Sequence, residues 1–351
     1  MTAKIHHTFS IGRHSIGAGA PCLITAEVAQ AHDGDLAVAH DYIDAAAEAG
    51  ADVVKFQTHI AAAESTPHEP WRVTFSKDKS RYDYWKRMEF SRDQWQELFD
   101  HAKERDLEFM SSPFSAEAVE LLDDLGVPAW KIGAGETTTT PLLERLADTD
   151  KPVLLSTGMS TLEEGRQAVE LIRGRGVPVG VYQCTSAYPC PPEKLGLNMI
   201  QSLRDLYECP VGLSDHSGVI YAGLAAAALT CDMIEVHLTL ERDTGLPDEP
   251  ASLLPAELKQ LVDGVRFIET ALHHDVDKNA MAEELGEMRR LFTKSLVAVA
   301  DLDAGTRLTR DVVGIKKPGF GIPSHRLEEF LDRTLKEPVT VNTLLMEEHF
   351  E

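Results

Sequence analysis

The strongest constraint on the fold is a repeated alternation of short apolar segments with longer amphipathic segments. The short segments are rich in β-branched residues, as strands are, and the longer ones carry apolar residues on one stripe, as helices do. Eight strand–helix units in succession predict an α/β fold of the (β/α)8 TIM barrel type. The predicted strands are Cys22–Ala26, Asp52–Phe56, Leu107–Ser111, Ala129–Ile132, Val153–Ser156, Val179–Cys184, Val211–Ser214 and Met233–Val236.

Local signals predict where several helices begin, and segment length indicates a loop after the second strand. The segments Ser91–Gln94 and Ser160–Glu163 fit the capping box, in which two side chains satisfy free amides of the first helical turn. The last barrel helix is expected at about Pro255–Leu272. The insertion at 59–90 is too long for a simple connection, so we expect it to form a loop on the active-site side.

After residue 273 the alternation stops and short segments punctuated by glycine dominate. We therefore predict a barrel domain over 1–280, a linker over 281–294 and a small β-rich domain over 295–351. A domain of that size has a thin core, so it is expected to be stabilised by packing on something else.

Charge and cysteine content exclude several classes of partner. The 57 acidic and 34 basic residues leave a net charge of −23, which argues against nucleic-acid binding and against docking on anionic membranes. No run of 18 apolar residues or apolar signal segment is present, so we expect no membrane association. Five cysteines without a Cys-x-x-Cys pair predict reduced thiols and a cytoplasmic location.

Polar and ionisable residues cluster at the ends of the predicted strands. Catalytic residues of α/β barrels come from the carboxyl ends of the strands, so these positions are candidate site residues. They are Glu27, Lys55, Gln57, Ser112, Lys131, Glu136, Ser156, Cys184, Tyr188, Ser214, His216, Glu235 and His237.

His216 and His237 end adjacent strands, so their imidazoles can converge on one ion. Two imidazoles together with carboxylate or water oxygens suit a first-row divalent metal such as Mn²⁺. Hydrogen-bonded histidines without a metal are the alternative interpretation.

Lys55 and Lys131 predict a local positive pocket in an otherwise acidic protein, because a buried lysine is costly without an anion. With the serine hydroxyls of neighbouring strands, they can hold a phosphate and a carboxylate. Two alternatives stay open: a Schiff-base lysine, and an internal salt bridge to Glu27 or Glu136. Glu27, Glu136 and Asp248 are also candidates for a general base or a ligand of substrate hydroxyls.

An ordered set of motifs covers nearly the whole chain and resembles the N-acetylneuraminate (sialic acid) synthase family of nonulosonate synthases. The segment KKPGFGI at 316–322 is similar to the antifreeze-like (SAF) module that follows the barrel in this family. The barrel motifs are AEVAQAHDGDL (26–36), AGADVVKFQT (49–58), SSPFS (111–115), WKIGAGE (130–136), LLSTGMSTLEE (154–164), YQCTSAYPCPP (182–192), GLSDHSG (212–218), IEVHLTL (234–240) and LPDEPASL (246–253).

The resemblance implies a metal-dependent condensation of phosphoenolpyruvate (PEP) with an N-acylhexosamine such as N-acetylmannosamine. It implies that His216 and His237 bind Mn²⁺ or Mg²⁺ and that Glu27 is the acid/base residue. The implied PEP-binding residues are Lys55, Ser112, Lys131, Ser156 and Ser214. The implied sugar-binding residues are Gln57, Glu136, Tyr188, Asp248 and Lys317. A domain-swapped homodimer is also implied, in which each C-terminal module caps the barrel of the partner.

Four positions depart from the family pattern. Ala134 stands where a serine is common, and Val236 where a lysine usually precedes the strand-eight histidine. Leu246-Pro247-Asp248 replaces a Gly-Pro-Asp turn, and Lys317 stands where an arginine reaches the N-acyl group. Arginine offers a planar fork and lysine a point donor, so acceptors of the legionaminic or pseudaminic type, or an unacylated hexose, stay open.

Overall fold

A computed structural model describes residues 8–17, 19–71 and 77–351, and the chain divides into two compact units, Met1–His273 and His274–Glu351. In the first unit, eight parallel strands pair in the order β3-β2-β1-β8-β7-β6-β5-β4, and β3 lies beside β4, so the sheet forms a nearly closed barrel. All eight predicted strands are confirmed. They are β1 (Leu23–Ala29), β2 (Val53–Thr58), β3 (Glu108–Pro113), β4 (Trp130–Ile132), β5 (Val153–Ser156), β6 (Val179–Cys184), β7 (Val211–Asp215) and β8 (Met233–Leu238).

Eight helices of the barrel alternate with the eight strands. The Ser91–Gln94 capping box is confirmed, but the second predicted box is wrong by one residue: Thr161 caps its helix with Glu164 as the partner. Ser160 belongs instead to the turn after β5, where its N–H donates to the Thr157 carbonyl. The helices are α1 (Leu36–Ala49), α2 (Arg92–Glu104), α3 (Ala116–Leu125), α4 (Thr140–Ala147), α5 (Leu162–Gly174), α6 (Met199–Tyr207), α7 (Tyr221–Ala228) and α8 (Pro255–Leu272).

The insertion after β2 contains two further helices, Ala61–Glu64 and Arg81–Met88. An antiparallel hairpin of Phe9–Ile11 and His14–Ile16 precedes the barrel. Its apolar side chains belong to one cluster with those of the barrel interior, so the hairpin closes the amino-terminal end of the barrel. A short strand, Ser252–Leu253, pairs with the end of β8.

Side chains alternate between the two faces of each strand, and this alternation separates an outer core from an inner one. The inner apolar cluster includes Leu23, Val53, Met110, Leu154 and Met233 from five strands. The positions two residues further along these strands face the same interior but are all polar: Thr25, Lys55, Ser112, Ser156 and Glu235. The polar residues therefore lie above an apolar floor, at the carboxyl end of the barrel.

The second unit has a small core of its own. Ser295–Ala298 and Val313–Lys316 pair antiparallel, and isolated bridges join the later segments. Its helices are Lys278–Glu284, Gly286–Phe292 and Leu327–Phe330. Among the described residues of both units, none of the helices is long and apolar enough to cross a membrane.

Candidate active site

Two buried lysines lie in the barrel interior among carboxylates and serine hydroxyls. The Lys55 ammonium lies 2.6 Å from Glu27 Oε2 and 3.7 Å from Glu235 Oε1, and it donates to Ser112 Oγ at 3.3 Å. Lys131 lies 2.7 Å from the same oxygen of Glu235. The lysines are only 2% and 3% exposed, so each ammonium is removed from water. The alternative interpretation, an internal salt bridge to Glu27 or Glu136, is therefore met by Glu27 for Lys55, whereas Lys131 pairs with Glu235.

Burial and charge act against each other in this cluster. Burial raises the pKa of Glu27 to about 7, although the Lys55 charge opposes it. For Glu235, burial is outweighed by the charges of Lys131 and Lys55, which lower its pKa to about 2. The pKa of Lys55 is raised because the two carboxylates outweigh burial, whereas burial lowers the pKa of Lys131. Glu235 is thus the permanent counter-ion of the lysines.

Glu235 is the site residue whose role the sequence does not reveal, because the sequence marks it only as a polar residue at the end of a strand. Its side chain also accepts from Ser214 Oγ at 3.3 Å, so it joins β8 to β2, β4 and β7 at one point. A signal is present, because residues two apart on a strand share a face, and Glu235 lies two residues before the candidate ligand His237.

The two candidate metal-binding histidines are neighbours, as expected from their strands. The ring centroids of His216 and His237 are 5.3 Å apart, and Tyr188 stacks on His216 at 4.1 Å. The Nδ1 atom of His216 lies 2.9 Å from the Thr185 carbonyl oxygen, which leaves Nε2 as its unprotonated nitrogen. Burial lowers the pKa of His216 to about 3, so its ring is neutral. His237 Nδ1 lies 3.9 Å from Asp248 Oδ2.

Four further site candidates line one cavity of about 420 Å³ at the carboxyl end of the barrel. These are Gln57, Glu136, Tyr188 and Asp248, all half-buried. The β2 insertion contributes the opposite wall through Glu64, Glu69, Arg81 and Trp85. Ser156 is buried at the end of β5, opposite Tyr182 in the strand register. Burial raises the pKa of Cys184 to about 11, so its sulfur is a thiol.

Comparisons with known proteins agree with this architecture. Residues 42–277 match the NeuB family, and the N,N'-diacetyllegionaminic acid synthase of Campylobacter jejuni is 35% identical over 93% of this chain and 99% of its own. The chain belongs to the NeuB family. The human N-acetylneuraminate-9-phosphate synthase is 34% identical over 95% of this chain and 94% of its own. The crystal structure of the N-acetylneuraminic acid (sialic acid) synthetase of Leptospira borgpetersenii is 30% identical, with a TM-score of 0.73, over 82% of this chain and 98% of the other.

The four positions at which this chain departs from the family pattern lie in different parts of the structure. Val236 packs in the layer between strands and helices, so its side chain points away from the barrel interior. Ala134 lines the 420 Å³ cavity, and Leu246 and Pro247 line a small pocket beside His237. Lys317 lies exposed in the second unit, where its ammonium is 4.9 Å from the centre of the Phe292 ring. Three of the four departures are therefore at least partly exposed, whereas Val236 is buried.

Because the pKa of Glu27 is raised, the free energy of unfolding of the barrel is expected to depend on pH. A carboxyl group whose pKa is about 7 in the folded state and 4.5 when unfolded favours folding below pH 4.5, and this contribution is lost as pH rises to about 7. We expect the unfolding free energy of the wild type to fall by about 3 kcal/mol relative to Glu27→Gln across this window. Urea denaturation at pH 4.5 and 8 measures the difference, with the exposed Glu170→Gln as the control. An identical pH dependence in wild type and Glu27→Gln would show that Glu27 is an ordinary carboxyl group.

Proposed function

We propose that this protein condenses PEP with an N-acylhexosamine, such as N-acetylmannosamine or a related aldose, in a metal-dependent reaction. The products are a nine-carbon 2-keto-3-deoxy sugar acid and phosphate. The observation that carries the proposal is the pair of buried lysines, Lys55 and Lys131, toward the carboxyl end of the barrel in a protein of charge −23. PEP is a trianion near neutral pH, and such a ligand needs concentrated positive charge and hydroxyl donors.

In this proposal Lys55 and Lys131 bind the phosphate and carboxylate of PEP. The hydroxyl groups of Ser112, Ser156 and Ser214 donate to the same ligand. The nearby Glu235 carboxylate has a pKa of about 2, so it is ionised at neutral pH. It would therefore balance the charge of the two ammonium groups while PEP is absent. Both lysines then act as cations, and no covalent adduct with the substrate is required.

The proposed chemistry joins two carbon atoms and breaks one C–O bond. C3 of PEP attacks the aldehyde carbon of the sugar, water adds its oxygen at C2, and the C2–O bond then breaks to release phosphate. A proton must move to the new hydroxyl group and another must leave the water. Glu27 has a pKa of about 7, so it is suited to exchange a proton near neutral pH.

The donor set of His216 and His237 fits a divalent cation, Mn²⁺ or Mg²⁺. His216 is neutral with Nε2 unprotonated, which is the state that binds metal. No cluster of three or more His, Cys, Asp or Glu suited to a metal is present among the described residues, so water and substrate oxygens would complete the coordination. When bound, the ion would act as a Lewis acid on the aldehyde oxygen.

Gln57, Glu136, Tyr188 and Asp248 would bind the sugar, because they line the cavity next to the histidine pair. The named relatives make different products, a legionaminic acid in one and N-acetylneuraminate 9-phosphate in another. The proposal therefore extends to the class of N-acylhexosamines and related aldoses. A panel of free sugars, assayed by phosphate release from PEP with Mn²⁺ and with EDTA, tests it.

The panel and a trapping experiment separate the proposal from its two alternatives. Phosphate release that requires both a sugar and the metal supports the proposal, and the best sugar identifies the acceptor. The lowered pKa of Lys131 keeps a Schiff-base pyruvate aldolase as the second candidate. Borohydride trapping of a pyruvate adduct on Lys131, with EDTA-resistant turnover, would establish the aldolase instead. A folded, metal-loaded protein that binds sugars without turnover would be a non-catalytic relative.

We further propose that residues 295–351 form an antifreeze-like (SAF) domain that caps the barrel of a partner chain in a swapped homodimer. Lys317 would then reach the sugar bound by the partner. A complementation experiment tests this: Lys131→Ala inactivates the barrel and Lys317→Glu the cap. Mixed dimers of the two variants hold one intact site, so about a quarter of wild-type activity is expected after subunit exchange. Activity that stays at the sum of the two separate variants would contradict the swapped cap.

A further inference from the structure

A continuous chain of hydrogen bonds runs from the β2 insertion into the barrel interior. Glu64 Oε1 lies 2.5 Å from His59 Nδ1, and His59 Nε2 lies 2.7 Å from the amide nitrogen of Gln30. The same Gln30 nitrogen donates to Gln57 Oε1 at 2.7 Å. Gln57 Nε2 donates to Glu27 Oε1 at 2.9 Å. The chain thus ends on the carboxylate proposed to exchange the proton.

The donors and acceptors in these hydrogen bonds are set by the chemistry of the side chains. An amide nitrogen donates and does not accept, so the contact from Gln30 requires an unprotonated Nε2 on His59. The ring proton then lies on Nδ1, where the Glu64 carboxylate accepts it. The second N–H of Gln30 holds the carbonyl oxygen of Gln57, which leaves the Gln57 amide nitrogen directed at Glu27. Reversal of the Gln57 amide would set two acceptor oxygens against each other.

The surroundings hold the His59 ring in place. It is stacked between Trp85, with ring centres 4.0 Å apart, and Phe114, with ring centres 4.5 Å apart. His59 is only 4% exposed and the Glu64 side chain 7%. The Trp85 indole in turn donates to Glu69 Oε2 at 2.9 Å. The clamped imidazole thus lies between the Glu64 carboxylate and the Gln30 amide, and its Nε2 also lies 3.4 Å from Gln57 Oε1, so the ring and both amides form one connected group.

We propose that His59, Glu64 and Gln30 are positioning residues that fix the amide of Gln57 for acceptor binding and for its contact with Glu27. The inference rests on the proposed function for the identity of the reaction. It adds three residues that the strand-end pattern does not select. All three line the same 420 Å³ cavity as Gln57, so the chain lies beside the acceptor and not in a remote part of the core.

His59→Phe is the decisive variant, because phenylalanine keeps a ring between Trp85 and Phe114 and removes both nitrogens. We expect kcat/KM for the sugar to fall roughly 10- to 100-fold, as for other outer partners of catalytic groups, while KM for PEP is unchanged. In a Gln57→Leu background, the same change is expected to lower kcat/KM less than about twofold, because His59 acts through Gln57. An equal loss in both backgrounds, or no loss in the wild-type background, would overturn the proposal.

The Glu64 variants provide the matched comparison. Glu64→Gln keeps an oxygen that accepts the Nδ1 proton and is expected to retain most activity, whereas Glu64→Leu is expected to resemble His59→Phe. Equal activity of the two variants would contradict a role for Glu64 in setting the tautomer.

A spectroscopic measurement separates this proposal from the proposed reaction. In full-length protein with ¹⁵N-labelled histidine, the His59 resonances, assigned with His59→Phe, are expected to show a protonated Nδ1 and an unprotonated Nε2. Glu64→Leu is expected to weaken that preference. A protonated Nε2 in the wild type would overturn the hydrogen-bond chain. This result does not depend on turnover. If the protein fails to condense PEP but shows the Nδ1–H tautomer, the proposed reaction is wrong and the hydrogen-bond chain still stands.

Discussion

His216→Ala and His237→Ala are each expected to lower metal-dependent turnover of PEP by at least about 10³-fold. The two rings lie 5.3 Å apart, so each would supply half of the protein ligands to one ion. In the proposed reaction, loss of Lewis-acid stabilisation of the aldehyde oxygen would cost several kcal/mol in the transition state, which corresponds to a rate factor of this size. Initial rates of phosphate release with saturating Mn²⁺ measure the effect.

The control for these variants is His273→Ala, because His273 is exposed at the end of α8. It is expected to have wild-type turnover and wild-type metal affinity. Equilibrium dialysis with Mn²⁺ should show weakened binding in both site variants and unchanged binding in the control. Retained turnover in either His216→Ala or His237→Ala, with the fold intact, would remove the histidine pair from the mechanism.

Glu235→Leu is expected to lower the free energy of unfolding by about 3–5 kcal/mol, because it leaves buried lysine charge without its counter-ion. Lys131 loses its 2.7 Å partner, and Lys55 keeps only Glu27. The double variant Lys131→Met/Glu235→Leu replaces both charges by apolar groups and is expected to be more stable than Glu235→Leu alone. Urea denaturation at neutral pH compares the three proteins.

Glu163→Gln is the matched control, because Glu163 pairs with Arg166 on the surface at 56% exposure. Removing an exposed partner is expected to leave the unfolding transition unchanged within error. A Glu235→Leu protein as stable as Glu163→Gln would mean that the interior lysines have another source of charge compensation. The double variant would then show no recovery.

The barrel was predictable because its signals are local. Strand and helix periods are visible within windows of about ten residues, and all eight strands lie within a few residues of their predicted positions. The candidate residues at the strand ends converge for the same reason: parallel strands in a barrel share one carboxyl end. The second capping box lies one residue after its predicted position, because Ser160 and Thr161 are equally suited to cap a helix.

Contacts across the barrel were harder to predict, because they depend on strand register. Lys131 and Glu235 are 104 residues apart in the chain, and no local pattern pairs them. The His59–Glu64 pair was missed for a different reason. It lies in the insertion after β2, where the one-turn helix Ala61–Glu64 brings the two side chains together and is too short to leave a periodic signal in the sequence.

In the proposed reaction, the choice of acceptor sugar would depend on residues outside the strand-end motifs. Relatives of nearly equal identity to this chain carry different product names. The cavity wall contributed by Glu69, Arg81 and Trp85 comes from the insertion, outside the barrel strands. We therefore expect acceptor choice to follow substitutions in this wall more closely than substitutions among the lysines and serines.

The most direct test of the proposed reaction uses PEP labelled with ¹⁸O in the oxygen that bridges C2 and phosphorus. With Mn²⁺ and an accepted sugar, we expect phosphate that carries the label and an equal amount of a nine-carbon keto acid, both measured by mass spectrometry, and neither in the presence of EDTA. Phosphate without the label, or a pyruvate-derived product that forms without PEP and resists EDTA, would contradict condensation by C–O cleavage.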